Sequence, residues 1–189
     1  MNTASGMTDG AMGEEDMHIG IATGRALEAR ARSPRATHAS EIDRVLGSEG
    51  VHAALQLLNT RTRFRYTGLY HVDPPLLRNI HLFDRENPGL NVSGTVSPLT
   101  IGYCGIACST GAPFVTSDSR KDPRLESHPA RESMISYCGV PIRSRGGIPW
   151  GTLCHFDFRR RLASPDEAAL LETLVPVFAG WLIGQGLLT

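Results

Sequence analysis

The chain has 189 residues, long enough for one domain with a real core and too short for two comfortable ones. Its 19 basic and 19 acidic residues balance, and no basic cluster appears beyond Arg159-Arg160-Arg161, which argues against nucleic acid or an anionic membrane as partner. The first twenty residues lack the charged start and apolar run of a signal peptide, and no uninterrupted apolar stretch of about 18 residues occurs, so the expected location is cytoplasmic.

Residues 1–38 show neither a helical nor a strand period and read as a tail, followed by a single domain over 39–186. Ser40 is placed to cap a helix whose Ile42, Val45 and Leu46 share one face. After "GSEG" the pattern resumes with Val51, Ala54, Leu55 and Leu58, and Gly47 and Gly50 predict a kink or break. "FRYTGLYHV" reads as a strand with Phe64, Tyr66, Tyr70 and Val72 on one side. Asp73-Pro74-Pro75 turns it into "LLRNIHLFD", where Leu77, Asn79, His81 and Phe83 share a face suited to a wet cavity. The polar Gly/Pro loop that follows predicts a mobile lid over 86–95.

"TVSPLTIGYCGIACSTG" reads as a short helix closed by Gly111, with Cys104 and Cys108 one turn apart on one face. "PFVTSD" is a short strand, and Asp122-Pro123 starts a helical turn. "MISYCGVPIRS" and "IPWGTLCHFDF" are strands joined by Arg145-Gly146-Gly147. "SPDE" at 164–167 fills every position of a capping box, and the helix it opens carries Leu170, Leu171, Leu174, Val175, Phe178, Trp181 and Leu182, with a bend expected at Pro176. That stripe is broad enough to cover a sheet and still offer apolar surface. A homodimer is therefore expected through Ile42, Leu55, Leu171, Leu174, Phe178 and Trp181.

Four cysteines, at 104, 108, 138 and 154, read as free thiols in a reducing compartment. Their spacing lacks the paired short intervals of a structural zinc site, so no metal and no cofactor is expected. Cys104 and Cys108 lie within reach of each other on their helix, but no adjacent Lys, Arg or His activates either, and core or pocket packing is the plainer role.

Taken together, "YCG", "GAPFVTSDSRKDPR", "SYCGVPIRSRGGIPWGTLCHFDF" and "SPDEAALLETLVPVFAGWL" resemble the GAF family of small-molecule sensor domains, and the likeness spans roughly 40–185. The resemblance implies an α/β composition of the α+β type. The expected architecture is an antiparallel sheet of about six strands, with dimerising helices on one side and a lidded ligand pocket on the other. Phe114 and Asp118 keep the Phe-to-Asp spacing of cyclic-nucleotide-binding members, but Ser119 replaces the glutamate and no Asn-Lys pair precedes it. Cys154-His155 has the dipeptide of bilin-binding members but lies in a strand rather than the lid helix. Free methionine sulfoxide reductases use the pocket for thiol chemistry, though their cysteine-bearing segments differ from those here.

The expected pocket therefore has Tyr103, Cys104 and Cys108 in its wall and Thr116 and Asp118 at its floor, Asp118 serving equally well as a turn cap. Tyr137, His155 and His81 are the candidate polar tips. The function this implies is a non-catalytic sensory or regulatory domain that binds an unknown small ligand and signals through a helix-mediated dimer. No output domain is expected after Thr189, so the signal is expected to pass to another protein. The rivals are a thiol-dependent reductase of the free methionine sulfoxide type and a ligand-free dimerisation module.

Overall fold

A computed structural model describes residues 34–189. Nearly all of the expected tail therefore lies outside the described residues. Helix α1 spans Pro34–Glu49 and α2 spans Val51–Asn59. Ser40 does not cap α1, which begins six residues earlier with a proline in its first turn, where a missing N–H costs nothing. The break falls at Gly50 alone: its φ of +88° is open to glycine, and Gly47 stays helical.

Six strands follow: β1 Tyr66–Asp73, β2 Leu76–Asp84, β3 Val96–Pro98, β4 Phe114–Thr116, β5 Ser136–Arg143 and β6 Pro149–Asp157. They form one sheet in the order β3-β2-β1-β6-β5-β4, and every described pairing is antiparallel. The segment expected as one short helix from 95 divides into edge strand β3, a 3₁₀ turn at Leu99–Ile101, and helix α3 at Cys104–Thr110. Pro98 ends the strand, and Gly111, at φ +64°, ends the helix.

Helix α4, Pro165–Gly184, opens with the capping box that the sequence predicts: Ser164 accepts from the Glu167 N–H while the Glu167 side chain accepts from the Ser164 N–H. By length and composition alone α4 resembles a membrane span, but Leu171, Leu174, Phe178 and Leu182 are completely buried in the protein's own core. That core lies between one face of the sheet and α1, α2 and α4. It joins Leu55, Leu58 and Phe64 to Leu69, Cys138, Val140 and Leu153. Ile42, Leu55, Leu171, Leu174 and Phe178, expected at a dimer interface, are all at most 3% exposed within the chain. Of the six residues expected there, only Trp181 keeps partial exposure.

The opposite face of the sheet carries a second core of Tyr66, Leu77, Tyr103, Phe114, Leu125, Tyr137, Cys154 and Phe156, covered by α3 and the 3₁₀ turns at Ser119–Lys121, Pro123–Leu125 and Pro129–Glu132. A bulge in β2 corrects the expected face assignment. Leu69 pairs with His81 and Tyr70 with Asn79, leaving Ile80 without a partner, so the alternation reverses there. Leu77 faces the second core, whereas Ile80 and Phe83 pack on the helix side. Phe64 precedes β1 and turns into the helix-side core, away from Tyr66.

Candidate functional site

Between the sheet and its cover of short helices lies a cavity of about 310 Å³. Tyr70 of β1, Leu77 of β2, Tyr137 of β5, and Cys154 and Phe156 of β6 form its sheet side; Phe158 lies just beyond β6. Ile101, Gly102, Cys104, Ser133 and Met134 close it from the lid. No Asp, Glu, Lys, Arg or His lines it.

Two glycines make room for the tyrosines. A Cβ on Gly139 would stand 2.2 Å from the Tyr137 hydroxyl, and one on Gly68 would stand 2.4 Å from Tyr70 Cε2. Each ring thus lies back over a strand position that has no side chain, which is why a tyrosine fits flat against the sheet here. Tyr137 is completely buried, and its hydroxyl donates to Cys104 Sγ at 3.5 Å. Cys154 borders the same cavity, paired across the sheet with the Gly139 over which the Tyr137 hydroxyl lies. The neighbouring Cys154 thiol, followed by the Thr152 and Tyr137 hydroxyls, lowers the Cys104 thiol below its usual range against the opposing effect of burial. Burial pushes the Cys154 thiol well up, and the neighbouring Cys104 adds to the rise.

Tyr103 stands behind this wall. Its buried hydroxyl lies 2.9 Å from the Met134 carbonyl and 3.2 Å from that of Ala130, tying the start of α3 to the far end of the lid. Its ring meets Tyr137 edge-on at 5.7 Å. The remaining candidates lie elsewhere. Cys108 turns to the Gly151 carbonyl at 3.4 Å, and burial raises its thiol to about 12. Thr116 and Asp118 line a shallow surface depression near Lys121 and Asp122, outside the cavity. Asp118 acts as the turn cap, accepting from the Arg120 N–H and guanidinium.

His155 points to the other face, where it stacks on Phe64 at 6.0 Å. Asn59 donates to Thr67 Oγ1, so the Thr67 hydroxyl donates to His155 Nδ1 at 2.8 Å and the ring proton is assigned to Nε2. Burial, then the nearby Arg85, drives its pKa down to about 3. His81 also leaves the cavity: its Nε2 meets His52 Nδ1 at 3.0 Å, and its Nδ1 meets Ser93 Oγ at 2.8 Å. His52 in turn bonds the Pro88 carbonyl at 2.9 Å. The loop over 86–95, expected as the lid, is thereby held beside α2, and the cavity is covered by residues 99–134 instead.

Of the eight sequence candidates, Cys104 and Tyr137 line the cavity and Tyr103 buttresses it. Tyr70, Leu77, Ile101, Met134, Cys154, Phe156 and Phe158 are lining residues that the sequence does not single out as site candidates. The signal for β6 lay in strand parity: Thr152, Cys154 and Phe156 share one face, and choosing His155 selects the other.

The family model for the GAF domain matches residues 36–179. The chain belongs to the GAF domain family. Among solved structures similar to this GAF domain is the GAF domain of an Acinetobacter phosphoenolpyruvate-protein phosphotransferase, at 15% identity and TM-score 0.60, covering 81% of this chain and 98% of that one. Free methionine-R-sulfoxide reductase from Neisseria meningitidis, solved with its substrate, has 20% identity and TM-score 0.58, with 78% and 89% covered. The GAF domain of the corresponding phosphotransferase from Coxiella burnetii has 15% identity and TM-score 0.53, with 82% and 100% covered. At these identities the likeness establishes the fold. No curated relative matches the chain in sequence. Among the described residues no three His, Cys, Asp or Glu side chains converge as a metal site would require.

Proposed function

We propose that this GAF domain is a sensory or regulatory module whose cavity binds a small, neutral, largely apolar molecule. The observation that carries this reading is the lining: four aromatic rings, Leu77, Ile101 and Met134 surround the space, and its polar groups are one tyrosine hydroxyl that already meets a sulfur, a second tyrosine, Ser133 and two thiols. A phosphate or carboxylate moved into such a space would lose its hydration and find no cation in return. A cyclic nucleotide is a poor fit for the same reason.

Because α3 and Met134 form the cover, a bound molecule would stabilise one lid arrangement. In this reading the protein is cytoplasmic and forms a homodimer through the outer faces of α1 and α4. There Val177, Gly180 and Trp181 border a groove beside Gly47, and a downstream signalling protein receives the change. The dimer's test is mass by light scattering, with Trp181→Glu expected to give monomers.

Native mass spectrometry of freshly purified protein tests the binding. An uncharged molecule released on denaturation is the expected result. A ligand carrying a phosphate, or no stabilisation by any member of a panel of apolar metabolites, would overturn it. A second reading, thiol-dependent reduction of free methionine sulfoxide, draws on the Neisseria likeness and on the two thiols that border the cavity. It ranks second because the cavity offers no charged partner for an amino acid's ammonium and carboxylate. Formation of methionine from added free methionine sulfoxide and dithiothreitol would reverse that order.

A further inference from the structure

Three independent features meet on the sheet side of the cavity. Cys104 comes from the lid and Cys154 from the sheet, both border the cavity, and Gly139, over which the Tyr137 hydroxyl lies, is the β5 partner of Cys154. The Tyr137 hydroxyl donates to the Cys104 sulfur. The third feature is a polar atom without a partner: Thr152 is completely buried, shares the cavity-side face of β6 with Cys154, and its hydroxyl makes no hydrogen bond. A buried hydroxyl left in that state is costly, and its presence calls for a state of the protein in which it is used. A neighbouring sulfur that gains a negative charge or an oxygen atom supplies such a state.

We propose that Cys104 and Cys154 are an oxidisable dithiol in the cavity wall, in which Cys104 attacks a hydroperoxide and Cys154 resolves the product. The proposal rests on the reading of the cavity as open to small molecules. In the first step the Cys104 thiolate attacks the terminal oxygen of ROOH. The S–O bond forms, the O–O bond breaks, and the departing RO⁻ takes the proton that the thiol gave up, leaving Cys104 as sulfenic acid and the peroxide as ROH. Tyr137 and Thr152 donate first to the thiolate and then to the new oxygen.

In the second step the Cys154 sulfur attacks the Cys104 sulfur. The S–S bond forms, the S–O bond breaks, and the hydroxyl leaves as water with the Cys154 proton. Two thiols are oxidised, and one peroxide is reduced to an alcohol and water. The order of attack follows from the surroundings, because the Tyr137 hydroxyl already donates to Cys104 whereas burial keeps Cys154 protonated. The other two cysteines stand apart from this arrangement: Cys108 is committed to the Gly151 carbonyl, and Cys138 lies in the helix-side core. A disulfide would tether the start of α3 to β6 and so fasten the lid onto the sheet. Oxidation and ligand binding then compete for one cavity.

The test treats the full-length protein with tert-butyl hydroperoxide, then alkylates and maps the peptides. The expected product is lighter by the mass of two hydrogens, joins Cys104 to Cys154 within one chain, and leaves Cys108 and Cys138 alkylated as before. In Cys154→Ser, dimedone should trap a sulfenic acid at Cys104, and Tyr137→Phe should slow oxidation roughly tenfold, the effect of one hydrogen bond to a charged group. Labelling of Cys104 by methyl methanethiosulfonate reports separately on access to the cavity. If that reagent labels Cys104 while the peroxide leaves the pair reduced, the dithiol proposal fails and the cavity reading stands. If neither reagent reaches Cys104, both fail. Oxidation of Cys138 at the same rate, or a cross-link between chains, also overturns the dithiol. The wild-type measurement needs no variant to fold.

Discussion

The two faces of the sheet are built from the same strands and yet perform different work. Toward α1, α2 and α4, alternate residues of β5 and β6 present Cys138, Val140 and Leu153, which interlock with Leu55, Leu171 and Phe178 and leave the core closed. Toward the lid, the residues between them present Tyr137, Cys154 and Phe156 around a space of about 310 Å³. Cysteine shows the contrast most directly. Cys138 is an apolar filler whose thiol burial raises to about 12, whereas Cys154, on the other face of the neighbouring strand, borders the cavity together with Cys104. One face supplies stability by close packing, and that stability is what allows the other face to keep a space unfilled.

The sharpest way to break this division is Phe178→Ala. It removes a completely buried ring from the helix-side core and should cost about 3–5 kcal/mol in urea unfolding. The same variant, below its unfolding transition, should leave the labelling rate of Cys104 nearly unchanged. A large change in that rate would show that the faces are not independent.

A second, pH-dependent effect comes from His155, whose pKa falls from 6.5 to about 3 on folding, because burial and then Arg85 disfavour the cation. The unfolded chain therefore binds more protons between those values. Stability from this residue is complete above about pH 6.5 and is lost as the pH falls, at about 1.4 kcal/mol per unit. Urea midpoints at pH 7, 6 and 5 should show this slope, and His155→Gln should remove it. An unchanged slope in that variant would place the titrating group elsewhere.

The cavity side is probed by Gly139→Ala. Its new Cβ would stand 2.2 Å from the Tyr137 hydroxyl, so the ring must leave Cys104, at an expected cost of about 1–3 kcal/mol in stability. Here the thiol's reactivity should change more than the thermal midpoint does, the reverse of Phe178→Ala. The smallest effect is expected for Ser164→Ala, which deletes the α4 cap far from either site and should cost about 1 kcal/mol without touching the cavity thiols.

Sequence periodicity reached the architecture because its strongest signals are local. The Ser164–Glu167 box, Gly111 as a helix end, and the Arg145-Gly146-Gly147 turn each act within a few residues, and each is found where expected. The family, and with it the sheet and its lidded face, followed from motifs of the same short range. Tyr137 and Cys104 were legible as cavity residues because each lies in a run whose facing is uninterrupted.

What only the tertiary structure decided was parity and pairing. The unpartnered Ile80 in β2 turns His81 away from the cavity, and no neighbouring residue in the sequence announces such an insertion. In β6 a shift of one residue separates Cys154, at the cavity, from His155, locked neutral against Phe64 on the far side. Helical spacing joined Cys104 to Cys108, but folding sets it in the wall of one cavity with Cys154, fifty residues along the chain. Residue types and local turns are properties of a few neighbouring residues. Which sulfur meets which depends on how α3 is set down on the sheet, and that is determined by the packing of the whole domain.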